Sequence, residues 1–176
     1  MKYVDVIKSE NKLKELARVL GKKNSLQIIQ AIKSLREKEP FEGAIGLLTE
    51  AFDSSDDRSV HKIISEFFND LKDLSARHEI IAEIRKPWNE NTMSMLVSSC
   101  WQSGLDYSDY MEDIINIFVK GDFPTSIECM TVIEGSVAKS SRERRDGLIK
   151  TLKDTDRVWV NEKKNLTLEL LSILEK

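Results

Sequence analysis

The sequence predicts an all-α protein in which antiparallel helical hairpins stack in a single domain. Apolar residues recur at intervals of three and four along most of the 176 residues, which is the spacing of one helix face. Alternation with a period of two is confined to Val158-Trp159-Val160. A composition of 40% apolar residues with only 7 Gly and 3 Pro excludes collagen-like, low-complexity and disordered chains.

The first half of the chain predicts five helices. The first covers residues 5–20 and ends at Gly21, and the second follows a cap at Asn24 or Ser25 and ends before Pro40. The third covers residues 41–52, and a short fifth helix runs from residue 75 to about residue 86. The fourth has the clearest apolar face, formed by Val60, Ile63, Ile64, Phe67, Phe68 and Leu71.

The second half predicts five more helices, over about residues 92–103, 107–120, 122–135, 137–153 and 162–175. Gly104 and Gly121 mark helix ends, and Pro124 falls in a first turn, where a missing N–H costs little. The buried stripe of the helix over 122–135 is assigned to Ile127, Met130 and either Val132 or Ile133. The link over 154–161 is expected to pack Trp159 against the end of the domain.

A weak internal repeat indicates how the helices are arranged. Leu48 matches Leu96 at an offset of 48 residues, while Ile64 matches Ile114 and Phe68 matches Phe118 at an offset of 50. Helix-turn-helix units of about 40 to 50 residues are typical of HEAT and armadillo repeats. We therefore expect a short right-handed HEAT/armadillo-like solenoid with an N-terminal hairpin (1–39), two HEAT-like units (40–135) and C-terminal capping helices (136–176). An irregular helical bundle is the alternative.

Three segments within residues 40–135 also carry a family resemblance: FEGAIGLL at 41–48, FFNDLK at 67–72 and SSCWQSGLD at 98–106. In these segments the chain resembles a family of uncharacterised bacterial HEAT-like repeat proteins. The resemblance covers a little over half of the sequence. It implies an armadillo-type helical superhelix with a scaffolding role, and it implies no reaction or ligand.

Charge and cysteine content restrict the class of protein. Lys and Arg number 27 against 30 Asp and Glu, so the formal charge of −3 argues against nucleic acid or an anionic membrane as the main partner. The first eight residues contain Asp5 and Lys8 and lack the apolar run of a signal peptide. Cys100 and Cys129 form no CxxC motif, so no disulfide framework is indicated. We expect a soluble, cytoplasmic protein without a membrane span.

The sequence contains no constellation of catalytic or metal-ligating residues. It has no Gly-rich phosphate loop, and neither His61 nor His78 has a second ligand at helical spacing. Cys100 falls one turn after Leu96 on an apolar stripe, which predicts a core position and leaves a nucleophile as the lesser alternative. We therefore assign no catalytic residue, cofactor or metal ligand and expect a protein that is not an enzyme.

The expected function is a scaffold or protein-protein interaction module whose partner is another protein. Second helices of solenoid units usually line the binding surface. The segment at the tight inter-helix turn predicts core and turn positions, and a recognition patch of Trp101, Gln102, Asp106 and Tyr107 is the lesser alternative. The candidate residues are Arg58, Lys62, Asn69, Trp101, Gln102, Asp109, Glu112, Asp113 and Asn116. The alternative is nucleic-acid binding through the helix over 139–153, whose basic residues are Lys139, Arg142, Arg144, Arg145, Lys150 and Lys153.

Overall fold

The computed structural model of the chain describes residues 2–36, 41–159 and 162–176, and within these ranges every regular element is helical. The α-helices are α1 (Lys2–Gly21), α2 (Ser25–Arg36), α3 (Ala44–Asp53), α4 (Arg58–Asn69), α5 (Ala76–Ile84), α6 (Glu90–Gln102), α7 (Met111–Lys120), α8 (Phe123–Ser136), α9 (Arg142–Lys153) and α10 (Lys163–Leu174). Short 3-10 helices span Ser108–Tyr110, Val137–Lys139 and Asp156–Trp159. The all-α prediction is therefore confirmed.

Two kinds of contact join the helices: contacts between two consecutive helices, and contacts between a helix and the next but one. The first kind of contact forms five pairs: α1 with α2, α3 with α4, α5 with α6, α7 with α8, and α9 with α10. The second kind joins α1, α3, α5, α7 and α9 in one series, which we call the odd row. It also joins α2, α4, α6, α8 and α10 in a second series, the even row. The fold is thus a set of helix pairs placed side by side.

Four of the five helices of the even row, α2, α4, α6 and α8, begin in the same way. A side-chain oxygen at the N-cap accepts a hydrogen bond from a backbone N–H in the first turn, which satisfies one of the helix's unpaired donors. The bonds run from Gln27 to Asn24 (3.1 Å), from Ser59 to Asp57 (2.7 Å), from Thr92 to Asn89 (2.9 Å) and from Thr125 to Asp122 (3.0 Å). Successive caps are therefore 33, 32 and 33 residues apart.

This spacing differs from the offset of 48 to 50 residues that the apolar matches gave. Leu48 lies in α3 and Leu96 in α6, so the offset compared a helix of the odd row with one of the even row. Residues 40–135 accordingly hold three helix pairs, α3–α4, α5–α6 and α7–α8, where the sequence predicted two units. The apolar matches arose because any two amphipathic helices share a spacing of three and four.

The core is one continuous cluster that extends from α2 to α10. The predicted apolar face of α4 is confirmed, since all six of its residues are buried and Phe68 has no exposed surface. Trp159 is half-buried and donates its indole N–H to the Leu152 carbonyl at 3.1 Å, as expected for the link, whereas Val160 lies outside the described residues. The chain turns after α6 at Gly104, where φ of 72° favours glycine.

Phe68→Ala tests this core. Phe68 has no exposed surface, so the substitution leaves a cavity and should lower the free energy of unfolding by about 3 to 5 kcal/mol. Urea denaturation followed by circular dichroism measures the change. Leu74→Ala is the control, because Leu74 is 59% exposed and its loss should cost less than about 0.5 kcal/mol. A loss below about 1 kcal/mol at Phe68 would contradict the packing.

Asp57→Asn tests the contact between α2 and α4 through its pH dependence. Hydrogen bonds from the Ser25 hydroxyl (2.5 Å) and the Ser59 N–H (2.7 Å) hold the pKa of Asp57 below its ordinary value of 3.8. A lowered pKa contributes stability that is complete above the ordinary pKa and is lost as the pH falls through the folded pKa. The variant should therefore unfold more easily than wild type at neutral pH.

The difference between the two unfolding free energies should shrink as the pH falls from about 5 to about 3. Urea denaturation across this range measures it. Asp56→Asn, a change at the exposed neighbouring residue, should show no such convergence. A constant difference between wild type and Asp57→Asn would rule out the contribution of the carboxylate.

Candidate functional site

The predicted binding residues fall into two groups on different rows of helices. Arg58, Lys62 and Asn69 lie on α4, and Trp101 and Gln102 lie on α6, so these five belong to the even row. The remaining four lie on α7 or on the 3-10 helix that precedes it, in the odd row: Asp109, Glu112, Asp113 and Asn116. The residues therefore do not form the single face that the sequence predicted.

The acidic group on α7 is engaged by arginines of the neighbouring helices. Asp113 accepts two hydrogen bonds from Arg85, from Nε at 2.8 Å and from the terminal nitrogen at 2.9 Å. Glu112 accepts one from Arg144 at 3.1 Å, and Arg144 also donates to the carbonyl of Asp109 at 2.9 Å. These bonds join α5, α7 and α9. The carboxylates of Glu112 and Asp113 thus stabilise the odd row instead of facing solvent unpaired.

Ion pairs with acidic side chains of the same chain neutralise half of the predicted basic cluster. Lys139 pairs with Asp106 at 3.0 Å, Arg144 with Glu112, and Lys153 with Glu175 at 3.7 Å. Within the ranges that the structure describes, the other three basic residues, Arg142, Arg145 and Lys150, form no ion pair. The positive charge that could contact a phosphate backbone is smaller than the residue count indicated.

The group on the even row links three helices at their outer surface. Asn69 of α4 donates to the Gln102 side chain at 2.7 Å, and Gln102 donates to the Ser98 hydroxyl at 2.5 Å. Trp101 is 45% exposed, yet its indole N–H donates to a carboxylate oxygen of Glu128 on α8 at 2.6 Å. A hydrogen bond to a charged acceptor is stronger than a neutral one, so it fixes the orientation of the ring.

Residues on the outer faces of α6 and α8 form a surface around this indole. Their spacing of three and four places them on one side of each helix, and all are exposed or half-buried. We call this set the Trp101 surface: Ser94, Ser98, Trp101 and Gln102 of α6 with Ile127, Glu128, Thr131 and Glu134 of α8. Neither helix contains a Lys or an Arg.

Part of this surface was absent from the sequence prediction. Ile127 was assigned to the buried stripe of its helix, but it is 40% exposed. The buried positions of α8 are instead Thr125, Ser126, Cys129, Val132, Ile133 and Ser136. Val132 and Ile133, one of which was expected in the stripe, are both buried. Small and polar residues hold half of the buried positions, so hydrophobicity alone placed Ile127 wrongly. The cap at Asp122 gives the correct face when α8 is aligned with α4 on the cap at Asp57.

The cysteine and histidines that were weighed as reactive groups have structural contacts. Cys100 has no exposed surface, its thiol lies 3.4 Å from the Leu96 carbonyl, and burial raises its pKa to about 12. Its predicted core position is confirmed. His61 stacks on Phe52 with ring centroids 4.1 Å apart, and His78 lies 2.6 Å from the Tyr110 hydroxyl.

Comparison with known proteins gives no relative from which a function can be transferred. No protein-family model, curated protein or solved structure matches the chain. The HEAT-like resemblance accordingly stays a prediction. In the part of the chain that the structure describes, no helix is both long enough and apolar enough to cross a membrane. The same residues hold no group of three or more His, Cys, Asp or Glu that could bind a metal ion.

Thiol labelling tests the burial of the cysteines. Cys100 and Cys129 have no exposed surface, and burial raises the pKa of both thiols. Since the thiolate is the reactive form, the native protein should not react with a disulfide reagent at about pH 8 within minutes. The same protein in urea should titrate two thiols. Rapid labelling of Cys100 in the native protein would contradict its burial and restore it as a candidate nucleophile.

Proposed function

We propose that the chain is a non-enzymatic helical-repeat scaffold of the solenoid type, which binds a partner protein through the Trp101 surface. The observation that carries the proposal is the exposed indole of Trp101, held by Glu128 on a surface formed by two stacked helices. The support comes from the arrangement of the helices, from the energetics of aromatic side chains at interfaces and from the chemistry of the other candidate groups.

The contact pattern supports a solenoid. In solenoid proteins each helical repeat contacts only its neighbours, and stacking produces two parallel series of helices. The odd and even rows have this pattern, and the caps of the even row recur every 32 or 33 residues. That spacing is closer to helix-turn-helix repeats of about 34 residues than to the roughly 40 to 47 residues of HEAT and armadillo repeats. The proposal therefore concerns a solenoid of helix pairs.

The exposed indole supports protein binding. Tryptophan is enriched among the residues that dominate binding energy at protein interfaces. Binding costs less entropy when an anchor side chain is already held in one rotamer. Glu128 provides this restraint in the unbound chain, and Gln102 beside it is held by Asn69 and Ser98. An exposed aromatic side chain with a fixed orientation is therefore present before a partner arrives.

The other candidate groups support a function without catalysis. The Cys100 thiol is buried and protonated at neutral pH, so it is poorly suited to act as a nucleophile. The alternative of nucleic-acid binding through α9 is weakened, because Lys139, Arg144 and Lys153 pair with acidic side chains of the same chain. The Trp101 surface has neither drawback.

Trp101→Ala tests the proposal in an affinity capture from lysate of the native host. A partner that uses this surface should be enriched by the wild-type bait and reduced at least tenfold with the variant, a loss of about 1.4 kcal/mol or more. Mass spectrometry of the captured proteins measures the ratio. Because Trp101 is 45% exposed, the variant should remain folded, which urea denaturation checks.

The matched control is Leu74→Ala, which removes another exposed apolar side chain outside the Trp101 surface. This bait should capture the same partner as wild type. The proposal fails if every protein enriched by the wild-type bait is also retained by Trp101→Ala.

A further inference from the structure

We propose that the Trp101 surface binds a basic segment of its partner, in which a Lys or Arg lies beside an apolar residue. This inference rests on the proposed function and adds the chemistry of the bound segment. It follows from the distribution of charge over α6 and α8 and from the pairing of the Trp101 indole with a carboxylate.

The charge of this surface has a single sign. The 13 residues of α6 and the 14 residues of α8 include Glu90, Glu128 and Glu134, but no Lys or Arg. The chain as a whole has 27 Lys and Arg among 176 residues, so basic residues are not scarce elsewhere. The adjacent helices of the even row do carry them, at Arg58 and Lys62 on α4 and at Lys163 and Lys164 on α10.

Carboxylates on the odd row are paired with basic side chains, whereas Glu128 on the even row is not. On α7 the carboxylates of Glu112 and Asp113 are paired with Arg144 and Arg85. On the Trp101 surface, Glu128 is bound by the neutral indole N–H, which leaves its negative charge uncompensated within the described part of the chain. Uncompensated carboxylates beside an exposed aromatic side chain favour a partner of opposite charge.

Trp101 and Glu128 together match the chemistry of a basic side chain. A guanidinium or ammonium group is attracted to the face of an indole ring, and it also forms strong hydrogen bonds with a carboxylate. One oxygen of Glu128 accepts from the indole at 2.6 Å, and the other accepts no hydrogen bond from any described residue. A cation over the ring would therefore have an acceptor within the same side-chain pair.

The apolar residue of the partner's segment would contact Ile127. Ile127 is 40% exposed and next to Glu128 on α8, and the same surface includes the short side chains of Ser94, Ser98 and Thr131. Short side chains allow a partner to approach both helices closely. A segment that carries both charge and an apolar residue thus matches this surface better than a purely hydrophilic basic tail.

A phage-displayed library of random peptides tests the inference. The library is selected on the wild-type protein and counter-selected on Trp101→Ala, and the enriched sequences are read. We expect peptides that combine Lys or Arg with an aromatic or aliphatic residue. Enriched peptides that are neutral or acidic would overturn the inference while leaving the Trp101 surface as a protein-binding site. If no peptide distinguishes wild type from Trp101→Ala, the inference and the proposed function both fail.

The affinity of an enriched peptide then isolates the role of charge. Glu128→Gln keeps an oxygen that can accept from the Trp101 indole but removes the negative charge. This variant, and Glu134→Gln, should each weaken binding about two- to fivefold and reduce its dependence on salt, as for exposed ion pairs.

Glu143→Gln on α9 is the control, because it removes an exposed carboxylate from the odd row and should leave the affinity unchanged. Isothermal titration calorimetry at two salt concentrations measures these three single variants and the Glu128→Gln, Glu134→Gln double variant. Equal affinity of wild type and the Glu128→Gln, Glu134→Gln double variant would overturn the inference.

Discussion

The apolar contacts within the even row determine most of what the rest of the molecule can do. α6 lies between α4 and α8 in this row, and its residues Leu96, Val97 and Cys100 have no exposed surface. A single amphipathic helix pair cannot bury such a face, so the pair is stable only against its neighbours. Burial of these positions also sets the rotation of α6, and helical periodicity then directs Ser94, Ser98 and Trp101 outward. The exposed indole is thus a consequence of the core.

Polar contacts at the helix ends add a second constraint, since they join each helix pair to the next. Asp53 at the end of α3 accepts hydrogen bonds from Asn89 (2.5 Å) and Thr92 (2.7 Å) at the start of α6. Lys163 donates to the carbonyls of Phe118 and Gly121, both at 2.6 Å, where α7 ends. The Lys163 bonds satisfy backbone carbonyls that the end of a helix leaves unpaired. Asp53 and Lys163 thus hold neighbouring helix pairs in register, and their charged groups stabilise the fold.

The sequence was sufficient to predict the helices but not their arrangement. Gly21, Gly104 and Pro124 act locally, so the helix boundaries that they mark agree with the structure to within a few residues. Which helices become neighbours depends on contacts between distant segments, and apolar residues such as Leu48 and Leu96 match in any pair of amphipathic helices. The caps were the better signal, because a side chain that accepts from the first turn is required at one position only. The exposure of Ile127 likewise depends on which helices pack against α8, and the sequence did not show this.

Charge shows the same difference between local composition and three-dimensional environment. The segment from Asp106 to Asp113 is the most acidic in the second half of the sequence, and for that reason it was predicted to face a partner. In the fold its carboxylates pair with three basic side chains of neighbouring segments, Arg85, Lys139 and Arg144. Glu128 and Glu134 are sparse by comparison, but neither their own helix, α8, nor the adjacent α6 carries a Lys or Arg. Two carboxylates that form no ion pair with a described residue therefore leave more uncompensated negative charge than a dense acidic segment whose carboxylates pair with basic side chains.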